Sequence, residues 1–176
     1  MLKKIFFVFF LLLIISFFGG CEYTTGGNMQ KIPVVLDTDI GSDIDDMWAL
    51  IMILNSPEFE IKLITVSVGD TQAKTRLAAK ILEIAGRTDI PIGIGSQNGI
   101  EPAPVRQMQW VGDYDLSKYP GTIYKDGTKA MVDIIMDSEQ PIKLIAIGPL
   151  STVEAALEIE PRIAQKAQFI GMLGSI

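Results

Sequence analysis

From residue 32 onward, short apolar runs alternate with segments of helical period, and few architectures accommodate that order. "IPVVLD" (32–37) reads as a buried strand, "DIDDMWALIMILNS" (43–56) as a helix opened by aspartates, and "FEIKLITVSVG" (59–69) as a second strand. "TQAKTRLAAKILEIAGR" (71–87) reads as a second helix ended by Gly86, and "IPIGIG" (90–95) as a third strand. A polar stretch containing prolines follows over 98–121, then a helix over 126–138 and a strand over 142–148. A helix over 151–168, broken near Pro161, precedes a last apolar run at 169–174. Strands spaced by helices in this way predict βαβ units: an α/β fold with a parallel sheet and helices on both faces, Rossmann-like in outline.

The residues before this block are of another kind. "MLKKIFFVFFLLLIISFFGGC" places Lys3 and Lys4 ahead of an apolar run over 5–18, then two glycines and Cys21. Its 14 residues are short of the ~20 that a bilayer-spanning helix needs. The pattern is that of a secretory signal, and small residues before a cysteine resemble a bacterial lipobox, with Cys21 as the lipidated residue. The expected organisation is a lipoprotein-type signal over 1–21, a flexible Thr/Gly-rich tether over 22–31 and one domain over 32–176, in an exported protein anchored to a membrane by lipid. Cys21 is the only cysteine, which excludes an intramolecular disulfide and a thiolate zinc centre. A net charge of −6 without a Lys/Arg cluster argues against nucleic acid as a partner and for a small or cationic one. A homo-oligomer is compatible with the sequence.

The chemistry is concentrated in "DTDIGSDIDD", where Asp37, Asp39, Asp43, Asp45 and Asp46 fall just after the first strand. Ligands in open α/β sheets bind beyond the carboxyl ends of the strands, and this cluster sits at such an edge. Asp37 and Asp39, two apart, share a side if the extended backbone persists that far. One or two of the aspartates can serve as helix caps, but five like charges need a cation or a shared proton. Hard oxygens without His or Cys favour Ca²⁺ or Mg²⁺ over zinc. An EF-hand loop is excluded, because Trp48 stands where its bidentate Glu belongs. A Mg²⁺-dependent aspartyl phosphatase site, a strand followed by D-x-D, fits "VVLDTD" but has no use for "DIDD".

"VVLDTDIGSDIDDMWAL" resembles the N-terminal signature of the inosine-uridine preferring nucleoside hydrolases, commonly D-T-D-P-G-x-D-D-A. "LITVSVGDTQAKTRLAAKILEIAGRTDIPIGIG" is similar to that family's second strand, helix and third strand. "LIAIGPLSTVEAALEIEPRI" is similar to its G-P-L-T-N-x-A segment, and "FIGMLGS" to its M-G-G strand. The resemblance implies Ca²⁺-dependent hydrolysis of the N-glycosidic bond of ribonucleosides, with the metal activating a water and a carboxylate removing its proton. It implies Asp39 as calcium ligand and general base, Asp46 as a second ligand, and the Ile147 carbonyl as a main-chain ligand. Asp45 would bind ribose hydroxyls, and Asp37 would orient its neighbours.

The chain departs from the common signature in several places. Two additional residues precede the Asp-Asp pair, so Asp43 competes with Asp45 for the ribose role. Asp70 replaces the more usual Asn, leaving it a substrate contact or the N-cap of the following helix. Ser151-Thr152 replaces Thr-Asn. Trp110, Asp113 and Tyr114 occupy a stretch where the family carries substrate-side loops, with Trp110 either stacking on a base or packing under its loop. The resemblance also implies that a complete family domain extends past residue 176, with further ribose contacts, a late calcium-ligating Asp and a His on the leaving base. This chain alone is then expected to have reduced activity or none. A noncatalytic, membrane-tethered nucleoside- or sugar-binding module of the same fold is the alternative.

Overall fold

The computed structural model describes residues 30–97 and 105–172. The expected signal segment and most of the tether, Cys21 included, lie outside the described residues.

Six strands form one sheet: β1 (Ile32–Thr38), β2 (Phe59–Val66), β3 (Ile92–Ile94), β4 (Ile123–Tyr124), β5 (Ile142–Ala146) and β6 (Ala167–Gly171). The helices are α1 (Asp45–Leu54), α2 (Thr71–Ile84), the single turn α3 (Met108–Val111), α4 (Gly127–Asp137), α5 (Ser151–Ile159) and α6 (Ile163–Lys166). The strand order is β4-β3-β2-β1-β5-β6, and every neighbouring pair is parallel. The chain therefore steps outward from β1 to β4, then returns to the other side of β1 for β5 and β6. The order reverses between β1 and β5, which makes their carboxyl ends the topological switch point.

Alternation along β1 sends successive side chains to opposite faces. Val34 and Leu36 pack with Leu50 and Ile53 of α1 and with Leu77, Ala78 and Leu82 of α2. Val35 faces the other way, with Met131 and Ile135 of α4, Leu144 of β5, Val153 of α5 and Ile163 of α6. Two apolar cores thus clasp the sheet, one on each face, as the alternating pattern predicts. A bulge shifts the register between the pairs Val34↔Ile61 and Val35↔Leu63, so that Ile61 joins the first core and Leu63 the second.

The main differences from the sequence reading lie in short elements. α3 and β4 form within or beside the polar stretch, where two to four residues leave no readable period. The helix expected over 151–168 stops at Ile159, resumes after Pro161 for one turn, and yields to β6 at Ala167. Pairing of Ala167 with Ile142 starts that strand two residues before the apolar run.

Candidate active site

β1 delivers the acidic segment to the switch point. Its extended backbone ends at Thr38, whose hydroxyl accepts from Ile40 N at 3.1 Å and turns the chain. Gly41 continues the turn at φ 94°, a conformation that side-chain-bearing residues disfavour.

Asp37 is fully buried, and Thr65 Oγ1 of β2 donates to its Oδ1 at 2.6 Å. Its Oδ2 is buried with no hydrogen-bond partner. Burial raises the Asp37 pKa to about 7; the Thr65 hydroxyl opposes this, the nearby Asp39 charge adds to it, and the Ser67 and Thr152 hydroxyls oppose it more weakly. Ile147 N donates to the Asp37 carbonyl at 3.0 Å, which locks the end of β5 beside it. Asp39 follows, with a side chain 17% exposed. A Cβ built on Gly148 would stand 2.7 Å from Asp39 N and 2.8 Å from its Oδ1, so the Asp39 carboxylate lies close against Gly148, the residue after Ile147.

Asp45 and Asp46 open α1, whose N-terminal residue Ile44 makes no side-chain cap. The dipole and free N–H groups there favour negative charge. Asp46 points inward, and its Oδ1 accepts from the Thr38 hydroxyl, while Asp45 is exposed. Burial raises the Asp46 pKa to about 6; the Thr38 hydroxyl opposes this, and the Asp39 and Asp45 charges add to it. Asp43 is exposed, with Arg106 Nη1 at 3.6 Å from its Oδ1 and Gln107 Nε2 donating to its carbonyl at 3.1 Å.

The fold therefore gathers Asp37, Asp39, Asp46 and the Ile147–Gly148 main chain at the end of β1 and β5. Asp43 is drawn toward the 105–107 segment. Asp70 caps α2, accepting from Ala73 N at 2.9 Å, one of the two roles open to it from the sequence. Arg76 donates to the carbonyls of Tyr114 and Gly112, Lys80 to that of Trp110, and Tyr114 to Glu83, so one face of α2 holds the polar stretch. Lys80 Nζ also lies 4.6 Å from the Trp110 ring centre. Lys80 is six residues past Lys74, or about 9 Å along the helix at 1.5 Å per residue, which sets Trp110 toward the far end of α2 from the aspartates.

Lys74 escaped the sequence reading. Only 2% of its side chain is exposed, and Nζ donates to the Asp39 carbonyl at 2.9 Å and to Ser42 Oγ at 2.8 Å. Burial lowers its pKa, against the pull of Asp39, Asp46 and Asp70. One signal was available: Lys74 falls three, four and seven residues before Leu77, Ala78 and Ile81, on the apolar stripe of its helix.

The donors at this edge are hard oxygens, which suit Ca²⁺ or Mg²⁺. The unpartnered Asp37 Oδ2 and the upward shifts at Asp37 and Asp46 mark a place short of positive charge. Among the described residues, no three acidic side chains converge as a ready-made metal site. Asp39, Asp46 and a carbonyl would supply part of the six to eight oxygens that Ca²⁺ takes. A cavity of about 720 Å³ lies elsewhere, by Pro33, Lys62 and Ile142 at the amino ends of the strands, and its lining mixes both charge signs.

Residues 34–176 match the family described as inosine-uridine preferring nucleoside hydrolase. Uridine nucleosidase 1 of Arabidopsis thaliana is 31% identical over 160 residues, covering 84% of this chain and 46% of that protein. The pyrimidine-specific ribonucleoside hydrolase RihA of Enterobacter sp. (strain 638) is 30% identical over 153 residues, covering 82% and 48%. Among solved structures, the inosine-uridine preferring nucleoside hydrolase of Bacillus anthracis superposes with a TM-score of 0.67 at 20% identity, covering 83% of this chain and 51% of that one. The chain thus spans about half the length of the curated relatives it matches.

Proposed function

This chain belongs to the inosine-uridine preferring nucleoside hydrolase family, and from that premise we propose that the whole protein hydrolyses the N-glycosidic bond of ribonucleosides, releasing ribose and free base with Ca²⁺ as cofactor. The observation that carries the reading is the gathering of Asp39, Asp46 and the Ile147–Gly148 main chain at the switch point of the sheet. The two carboxylates and the Ile147 carbonyl would hold the cation, which when bound supplies Lewis-acid activation of water.

Asp39 takes the proton from the attacking water, its half-buried carboxylate being less enclosed than those of Asp37 and Asp46. Asp37, buried behind it and held by Thr65, fixes the end of β1. Asp45 reaches ribose hydroxyls, with Asp43 its competitor for that role and Asp70 a further substrate contact. Positive charge builds on the sugar as the carbon–nitrogen bond breaks, and fixed carboxylates stabilise it. The bonding pair leaves with the base nitrogen, which is protonated by a group other than a histidine of this chain, since it has none.

The test is release of free base and reducing sugar from inosine and uridine by the intact protein, with Ca²⁺ and after chelation. Turnover that disappears with chelator, and falls by about 10²-fold or more in Asp39→Asn, is the expected result. The second reading is a noncatalytic nucleoside- or sugar-binding module, favoured by Asp70, which stands where the family more often has Asn and caps α2. Equilibrium binding of inosine without turnover would establish it, and phosphate release from a phosphomonoester would point to the Mg²⁺ phosphatase instead. Anchoring rests on the sequence of residues 1–21, and Cys21→Ala is expected to move the protein from the detergent phase to the aqueous phase on partitioning.

A further inference from the structure

A lysine buried on the apolar face of a helix must have its ammonium solvated by protein groups, and the groups chosen here come from two separate loops. Lys74 Nζ donates to the Asp39 carbonyl (2.9 Å) and Ser42 Oγ (2.8 Å) in the turn after β1, and to the Ser67 carbonyl (3.4 Å) in the loop after β2. An ammonium has three protons, and these three acceptors use them all. The Asp39 carboxylate, 3.9 Å away, feels the charge without receiving a proton, so its lone pairs stay available to other partners.

The loop on the far side is itself held in a costly shape. Val68, β-branched and buried, adopts φ 64°, a conformation that persists only where the surroundings over-determine it. Its N–H is bound to the Ser96 carbonyl at 2.8 Å, and the preceding carbonyl, that of Ser67, faces Lys74. On the near side, the turn has its own Ser42 N to Asp39 O bond of 3.2 Å, the Ile40 N to Thr38 Oγ1 bond of 3.1 Å and the Arg106 N to Gly41 O bond of 2.9 Å besides the Lys74 contacts.

We propose that Lys74 is a positioning residue for Asp39: it ties the Asp39–Ser42 turn to the Ser67–Val68 loop and thereby holds the Asp39 carboxylate against the Ile147–Gly148 main chain. This rests on the reading of Asp39 as cation ligand and general base. The charge of Lys74 is neither a substitute for the cation nor a proton donor; its work is geometric, and removal of the ammonium releases the turn.

Lys74→Met keeps the buried stem and removes the donors, while Lys74→Arg keeps the charge. In the intact protein, Lys74→Met is expected to speed hydrogen exchange at Ile40, Gly41 and Ser42 by about tenfold with α4 amides unchanged, and to weaken Ca²⁺ binding in calorimetry by about tenfold. Turnover is expected to fall by about tenfold to a hundredfold with KM within about threefold, and Lys74→Arg to recover part of the loss. A folded Met variant with unchanged exchange overturns the proposal, and so does one that binds Ca²⁺ more tightly, since the ammonium would then be a competitor of the cation. Should Lys74→Met fail to fold, Ser42→Ala must shift exchange and turnover in the same direction by a smaller factor; no shift there also overturns it. A wild-type protein that cleaves no nucleoside, but whose turn loosens in Lys74→Met, sinks the proposed function and leaves the positioning role standing.

Discussion

Asp37 shows what burial of a single carboxyl does to the molecule. Its pKa stands at about 7 in the folded chain against an ordinary value of 3.8, so between those limits the native state keeps a proton that the unfolded chain has lost. The contribution of Asp37 to the stability of the metal-free protein is therefore full below about pH 4 and is lost as the pH climbs through about 7; Asp46, raised to about 6, contributes in the same direction. Thermal melts in chelator from pH 4 to 8 are expected to show a falling midpoint, and Asp37→Asn to flatten the fall. A midpoint that rises over this range would refute the assignment of buried, uncompensated carboxyls.

At the scale of elements, the site depends on how closely β5 approaches the turn after β1. Gly148→Ala would place a methyl 2.7 Å from Asp39 N and 2.8 Å from its Oδ1, where no real Cβ fits. The turn must move, so Gly148→Ala is expected to weaken Ca²⁺ binding by an order of magnitude, comparable to about 1.4 kcal/mol, without removing any ligand. Calorimetric titration checks this, and unchanged affinity would mean that the strand end yields instead. The start of α2 gives a separate case. Asp70→Ala removes the bond to Ala73 N and is expected to cost about 1 kcal/mol in urea denaturation, whereas Asp70→Asn, which also caps well, is expected to cost much less.

For the whole molecule, a sheet clasped by two cores carries its acidic edge where the strand order reverses. Any cation bound there by the native state alone must stabilise the fold by mass action, by about 2.7 kcal/mol at a hundred times its dissociation constant. The intact protein is therefore expected to melt higher with Ca²⁺ than with chelator, and Asp46→Ala to lose most of that increment. An equal midpoint with and without Ca²⁺ would remove the cation from the account.

Local pattern carried much of this in advance. Runs such as "IPVVL" and the 3.6-residue period of 71–84 specify strands and helices by themselves, and their alternation leaves little choice but a parallel sheet. A cluster of like charge after the first strand pointed to the candidate site for the same reason, since ligand chemistry in such sheets belongs at strand ends. Tertiary structure alone decided three things. The first is which face of α1 goes inside: "DDMWALIMIL" is apolar nearly all round, and packing against β1 and β2 took Leu50 and Ile53 and left Trp48 and Met52 exposed. The second is which aspartates meet, because Asp46 reaches Thr38 only when the turn folds back, while Asp43 goes to Arg106, distant in sequence. The third is Lys74, whose burial depends on acceptors 7, 32 and 35 residues away converging on one ammonium. Periodicity is a property of neighbours along the chain, whereas solvation of a buried charge is a property of whatever the fold brings to it.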